Sequence, residues 1–183
     1  MTKQIFTVLA ASAISATMLF TSCKKEIDAS FTKSFDGVNF TLDSTSHTGA
    51  ISLSGVDVST GITQLAADKG FDINKIKKVV LKSCTITIND SIGTPSITFD
   101  VLDSVQATLS GTSLSTLKVG SANPIAHNGS TSLTLSMNNV DVAPYVKADK
   151  FNFNVSGANN AAIPHKVPMT AKLNFEITAT IVK

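Results

Sequence analysis

The sequence predicts an all-β fold: an immunoglobulin-like antiparallel β-sandwich of about 7–9 strands with one or two short helices. Three observations predict it. The final stretch, PMTAKLNFEITATIVK, alternates without a break. Met169, Ala171, Leu173, Phe175, Ile177, Ala179 and Ile181 share one face, while Thr170, Lys172, Asn174, Glu176, Thr178 and Thr180 share the other. Such period-two alternation marks an antiparallel strand with one buried and one solvated face. Shorter alternating runs recur along the chain, punctuated by Gly, Pro, Asn and Asp, the residues that make turns. Serine and threonine fill the outward positions of those runs, which suits a solvated sheet surface.

The elements follow in order. Residues 24–33 are polar and read as a short tether. From Phe35 the chain turns to strand, with Val38, Phe40 and Leu42 alternating with Asn39 and Thr41. Ile51 and Leu53, then Val56 and Val58 after Gly55, predict a second strand with a bulge at the glycine. The stretch STGITQLAADKG breaks the alternation: Ser59 or Thr60 caps a short helix and Gly70 stops it. This helix is the crossover to a long strand over IKKVVLKSCTITIND. Phe99 and Leu102 are spaced for one helical turn, after which Val105, Ala107 and Leu109 alternate. STLKVGSA is a further strand, and NPIAHNG a turn. In SLTLSM, Leu133, Leu135 and Met137 share a face. A second helical turn follows, capped by Asp141, and FNFNVSG and the final strand complete the sheets.

The first 28 residues carry a different signal. Lys3 is followed by an apolar run over residues 5–20 rich in alanine and serine, then by Phe20-Thr21-Ser22-Cys23 and the charged Lys24-Lys25-Glu26. The run is shorter than the ~20 residues a spanning helix needs, and its layout is that of a secretory signal. The sequence up to Cys23 resembles a bacterial lipobox. Its aromatic Phe20, and the Ser/Thr- and Asn-rich body with its FDVLDSVQATLS and VAPYVK segments, resemble the small cell-envelope lipoproteins of Bacteroidota. The resemblance implies cleavage before Cys23 and acylation of its thiol and its new amino group, palmitate being one such chain. Two or more acyl chains give stable attachment where one is marginal. The expected organisation is therefore a signal peptide over 1–22, a lipidated tether over 23–34 and a sandwich domain over 35–183. The expected location is the cell envelope at the outer membrane, on its periplasmic face or at the cell surface. Lys25-Glu26-Ile27-Asp28 partly resembles the charged signal for surface display in that group.

Composition excludes several functions. All fifteen basic residues are lysine, with no arginine, the residue suited to bidentate recognition of phosphate. With Lys3 removed, fourteen lysines face thirteen acids, so the body lacks the basic footprint of a nucleic-acid binder. There is no tryptophan and one tyrosine, Tyr145, which argues against an aromatic sugar platform.

Candidate chemistry is sparse. Once Cys23 carries lipid, Cys84 has no partner. It falls in the spacing Val80, Lys82, Cys84, Ile86, Ile88 on a buried strand face, where a free cysteine acts as a small hydrophobe. His47, His127 and His165 sit near turns without zinc-site spacing. Asp100, Asp103 and Asp141 read as turn and capping residues. Asp36-Gly37 and Asn89-Asp90 make no EF-hand loop. No nucleophile elbow or phosphate loop is present. No catalytic residue, metal ligand or cofactor is assigned. Asp43-Ser44-Thr45, Asp90-Ser91-Ile92 and Asp103-Ser104-Val105 resemble the Bacteroidota O-glycosylation triplet, with Ser44 and Ser91 at turns an enzyme reaches and Ser104 opening a strand.

The function expected is therefore that of a non-enzymatic interaction or assembly module, held at the membrane by Cys23 and binding an envelope protein partner through its loops or a sheet edge. The alternatives are a carrier for a small apolar ligand, which requires an internal cavity, an enzyme whose site is built from distant loops, and a fimbrial subunit. The last fits poorly with a chain that has no arginine for maturation.

Overall fold

The computed structural model describes residues 25–91 and 96–182. The expected signal peptide over 1–22 and Cys23 lie outside them. Among the described residues nine strands form two antiparallel sheets packed face to face, accompanied by two short helices. The strands are β1 (Glu26–Leu42), β2 (Gly49–Ser59), β3 (Phe71–Ile88), β4 (Leu102–Gly111), β5 (Leu114–Ala122), β6 (Ser132–Thr134), β7 (Ser136–Met137), β8 (Lys150–Asn159) and β9 (Val167–Val182). The helices are α1 (Ile62–Lys69) and α2 (Ala143–Lys147). One sheet runs β1-β9-β3-β6 and the other β2-β8-β4-β5-β7.

The all-β antiparallel sandwich is as the alternation predicts, but the wiring is not that of an immunoglobulin domain. There, several consecutive strands pair as hairpins. Here β4 and β5 are the only consecutive strands in one ladder among the described residues. Around that hairpin the pairs nest outward: β3 with β6, β2 with β8, and β1 with β9. One long hairpin has thus been rolled up until β9 reaches β3 and β8 reaches β4. This is the connectivity of a jelly roll.

The core lies between the sheets. Phe175 is fully buried on β9, with its ring edge-on to Phe35 of β1 at 5.4 Å and tilted against Phe151 of β8 at 5.9 Å. Phe35 and Phe151 meet edge-on at 5.8 Å. These rings join the middle of the longer sheet to the Lys150 end of the shorter one. The sheets differ in length. β1, β3 and β9 have 17, 18 and 16 residues, while β2, β8 and β4 have 11, 10 and 10. The longer sheet overhangs at its Glu26 end, and α1 covers the overhang with Ile62 and Ala66 buried.

Several expectations need correction. Residues 26–34 are not a tether. They form the first half of β1, paired residue for residue with β9 from Glu26↔Val182 to Ser34↔Asn174. Ile27, Ala29 and Phe31 alternate there with the exposed Asp28, Ser30 and Thr32, a strand pattern beneath the charges. On β3, Cys84, Ile86 and Ile88 are buried as expected, but Lys82 is exposed and the inward residues before it are Val79 and Leu81. A register shift between Leu81 and Ser83 resets the phase. SLTLSM is not one strand: β6 joins β3 and β7 joins β5, so the chain crosses between the sheets at buried Leu135. The cap of α1 is Gly61 in the left-handed region, without a side-chain cap bond, while Thr60 Oγ1 accepts from Ile62 N at 3.4 Å. Phe99–Val101 is a single 3-10 turn and Leu102 already belongs to β4.

The bulge expected at Gly55 is present, between Leu53 and Val56. Gly70 ends α1 in the left-handed conformation. Asp141 Oδ1 accepts from both Ala143 N and Val79 N at 3.0 Å, so it holds α2 against β3.

Candidate functional site, the four-loop face

Rolling up the hairpin sends every second connection to the same end of the sandwich. The β1–β2 (43–48), β5–β6 (123–131) and β8–β9 (160–166) connections and the described parts of the β3–β4 connection (89–91 and 96–101) meet at the end remote from Glu26. All three histidines, and both Ser44 and Ser91, lie in these connections. None of their spacings along the sequence suggests that they share one face.

The loops are bonded to one another. Thr45 and Ile163 form an antiparallel bridge, with N–H···O distances of 2.9 and 2.8 Å. Asn159 is buried and its Nδ2 donates to His47 O at 2.8 Å and to Ala161 O at 2.7 Å. Phe99 N donates to Ser130 O, and Ile88 N to Thr131 O. Asp100 receives Gly129 N on both carboxylate oxygens at 3.0 Å. Asn160 Nδ2 lies 2.9 Å from Asp103 Oδ1, 3.1 Å from Asp100 O and 3.4 Å from His127 Nε2. Asp100 and Asp103 thus fasten segments distant in sequence, whereas the 3-10 turn beside them is capped by Thr98.

One pair was not legible in the sequence. His165 Nε2 lies 3.1 Å from both carboxylate oxygens of Asp90. The Asp90 side chain is 1% exposed and that of His165 30%. Asp90 Oδ2 also accepts from Ile97 N at 3.0 Å. A buried carboxylate that orients a half-exposed imidazole occurs in acyl-transfer sites, where the ring in turn contacts a nucleophile. Among the described residues no hydroxyl is bonded to the His165 ring. The pair fastens the β3–β4 connection to the β8–β9 connection.

His47 and His127 are exposed, as are Ser44 and Ser91. Ser104 is half-buried within β4. No group of three or more His, Cys, Asp or Glu side chains fit to hold a metal occurs among the described residues. Cys84 is fully buried, and burial pushes its thiol up to about 12, which makes it a core residue rather than a nucleophile. Tyr145 is also structural: it is buried, and its hydroxyl donates to Ser115 O at 2.6 Å.

Many charges on the outer face of the longer sheet are paired. Lys82–Glu176 and Lys172–Asp36 pair between neighbouring strands, and Lys75–Glu26 and Lys77–Asp28 across the intervening β9, at 2.8–3.3 Å. Ser34, Asn174 and Ser83 form a hydrogen-bonded row across the same strands. The four-loop face instead presents imidazoles, hydroxyls and amides to solvent on a bonded frame. Such a surface can donate and accept hydrogen bonds toward a polar partner without paying to order its loops.

No protein-family model matches the chain. No curated protein matches it either. Among solved structures, the crystal structure of a decameric BFDV capsid protein is similar over 85% of this chain and 99% of that one, with a TM-score of 0.36 and 9% identity. A likeness this distant carries no argument about function.

Proposed function

We propose that this chain is a lipid-anchored envelope protein whose jelly roll is a non-enzymatic interaction module, binding a polar protein partner through its four-loop face. One observation carries the reading. Four connections distant in sequence are bonded into one face at the end of the domain opposite Glu26, three residues from the proposed lipid site at Cys23. A module held at one end is free to bind at the other. The carrier reading has less support, because the space between the sheets is filled by Phe35, Phe151 and Phe175. Exposed Ser44 and Ser91 lie on the same face, and a glycan on either would limit which partners approach. An intact mass equal to peptide plus lipid alone would reject that modification.

Site-specific photocrosslinking in the native cell tests the proposal. A benzophenone side chain replaces exposed Ala126 or Ser46 on the loop face, and Lys78 or Lys172 on the outer sheet face. The expected result is one adduct of discrete mass from the loop positions, absent from the sheet positions. Identical adducts at all four positions, or none at the loops, would contradict the reading.

A further inference from the structure

We infer that the Glu26 tip of the longer sheet is a membrane-apposed surface, so that the domain stands upright on the bilayer with its four-loop face outermost. The inference rests on the proposed lipidation of Cys23 and adds an orientation to it.

Two independent observations point to it. The first is reach. β1 pairs with β9 from Glu26 onward, so two residues, Lys24 and Lys25, separate the lipidated position from the folded domain, three Cα steps in all. A chain of that length spans at most about 10 Å. A glycerolipid on Cys23 therefore holds the Glu26 end of β1 at the headgroups. A flexible tether would have allowed the domain to tumble, but no such tether exists once residues 26–34 are strand. The second is the placement of apolar surface. Val182 is the large apolar side chain left exposed among the described residues, at 51%, and it pairs directly with Glu26. Ile27 and Ile181 pair beside it and are only half-buried, as is Ile73 in the 72–75 bulge of β3. Val182 on the outer face and Ile27 and Ile181 on the inner face thus lie at the tip nearest the anchor, with Ile73 and Ile181 packed in part against the core.

Two ion pairs flank them. Lys75 and Lys77 reach across β9 to Glu26 and Asp28 at 3.0 and 2.8 Å. The tip therefore suits apolar contact with the interface, and Lys24 and Lys25 beside the anchor add positive charge toward the headgroups. β1 extends roughly 50 Å from this tip at about 3.3 Å per residue, which sets the height of the four-loop face above the bilayer.

The experiment uses the full lipidated protein in vesicles of phosphatidylethanolamine and phosphatidylglycerol containing a doxyl-labelled lipid. Bimane is placed on Asn74→Cys at the tip or on Ala126→Cys in the β5–β6 connection. Cys84 is buried and stays unlabelled. The expected result is at least threefold stronger quenching at position 74 than at 126. Equal quenching at the two positions on protein whose mass includes the lipid would overturn the orientation and leave the lipidation reading standing. A mass without lipid would overturn both.

Discussion

Replacing Phe31 with alanine separates a strand from a tether. In a tether the change is silent. In the structure Phe31 sits on β1 opposite Ile177 of β9 and stacks on Phe71 of β3, with centroids 5.2 Å apart and planes 18° from parallel. Truncating a fully buried phenylalanine costs about 3–5 kcal/mol. Phe31 is half-buried, so about half of that applies, and the stacked pair is worth roughly 0.5–1.5 kcal/mol within it. The expected loss is about 2 kcal/mol. In a domain of this size that lowers Tm by roughly 4–8 °C. The assay is urea and thermal unfolding of a soluble form that carries Cys23→Ser and lacks the first 22 residues. Phe175→Ala, at the fully buried centre of the core, serves as the upper reference and should cost about 3–5 kcal/mol. A Phe31→Ala midpoint equal to the unsubstituted protein would refute the docking of residues 26–34, and with it the short reach from Cys23.

Three further outcomes are expected. Hydrogen bonds from Lys77 and then Thr180 hold the Asp28 carboxyl below its ordinary value of 3.8. A depressed carboxyl contributes stability above its unfolded value and loses it as pH falls through the folded one. Asp28→Asn should therefore narrow the gap between unfolding midpoints measured near pH 6 and near pH 3, and an unchanged gap would contradict the assignment. Cys84, with its thiol raised by burial, should resist aromatic disulfide reagents in the native state and react once the protein is unfolded in urea; prompt native labelling would contradict its place in the core. Asn160→Ala removes the amide shared by Asp100 and Asp103 and should cost about 1 kcal/mol. Hydrogen exchange should quicken in residues 97–103 and 123–131 while β9 stays protected. Uniform quickening would show that the loops are not an independent frame.

Much of the framework was legible because it depends on local signals. The alternation of β9 holds from Val167 to Ala179, and glycines mark the β2 bulge and the end of α1. What was hidden depends on pairing across the chain. The slip on β3 that turns Lys82 outward exists only against β9. Leu133 and Met137 fit one strand by spacing but pair with different sheets. The half-strand from Glu26 to Ser34 alternates, yet its charged start reads as a linker until β9 is seen to bury Ile27, Ala29 and Phe31 in part. The four-loop face was hidden for the same reason. Asp90 and His165 are 75 residues apart, and only nested strand pairing brings their loops to one end. Cys23, the residue on which the functional reading turns, rests on the sequence.

The most direct measurement is the mass of the mature N-terminal peptide from protein purified from its native envelope. Lipid anchoring predicts a chain that begins at Cys23, carries acyl mass on that residue, and becomes detergent-independent when Cys23→Ser removes the thiol. A mature chain beginning elsewhere, or a free thiol at Cys23, would contradict it.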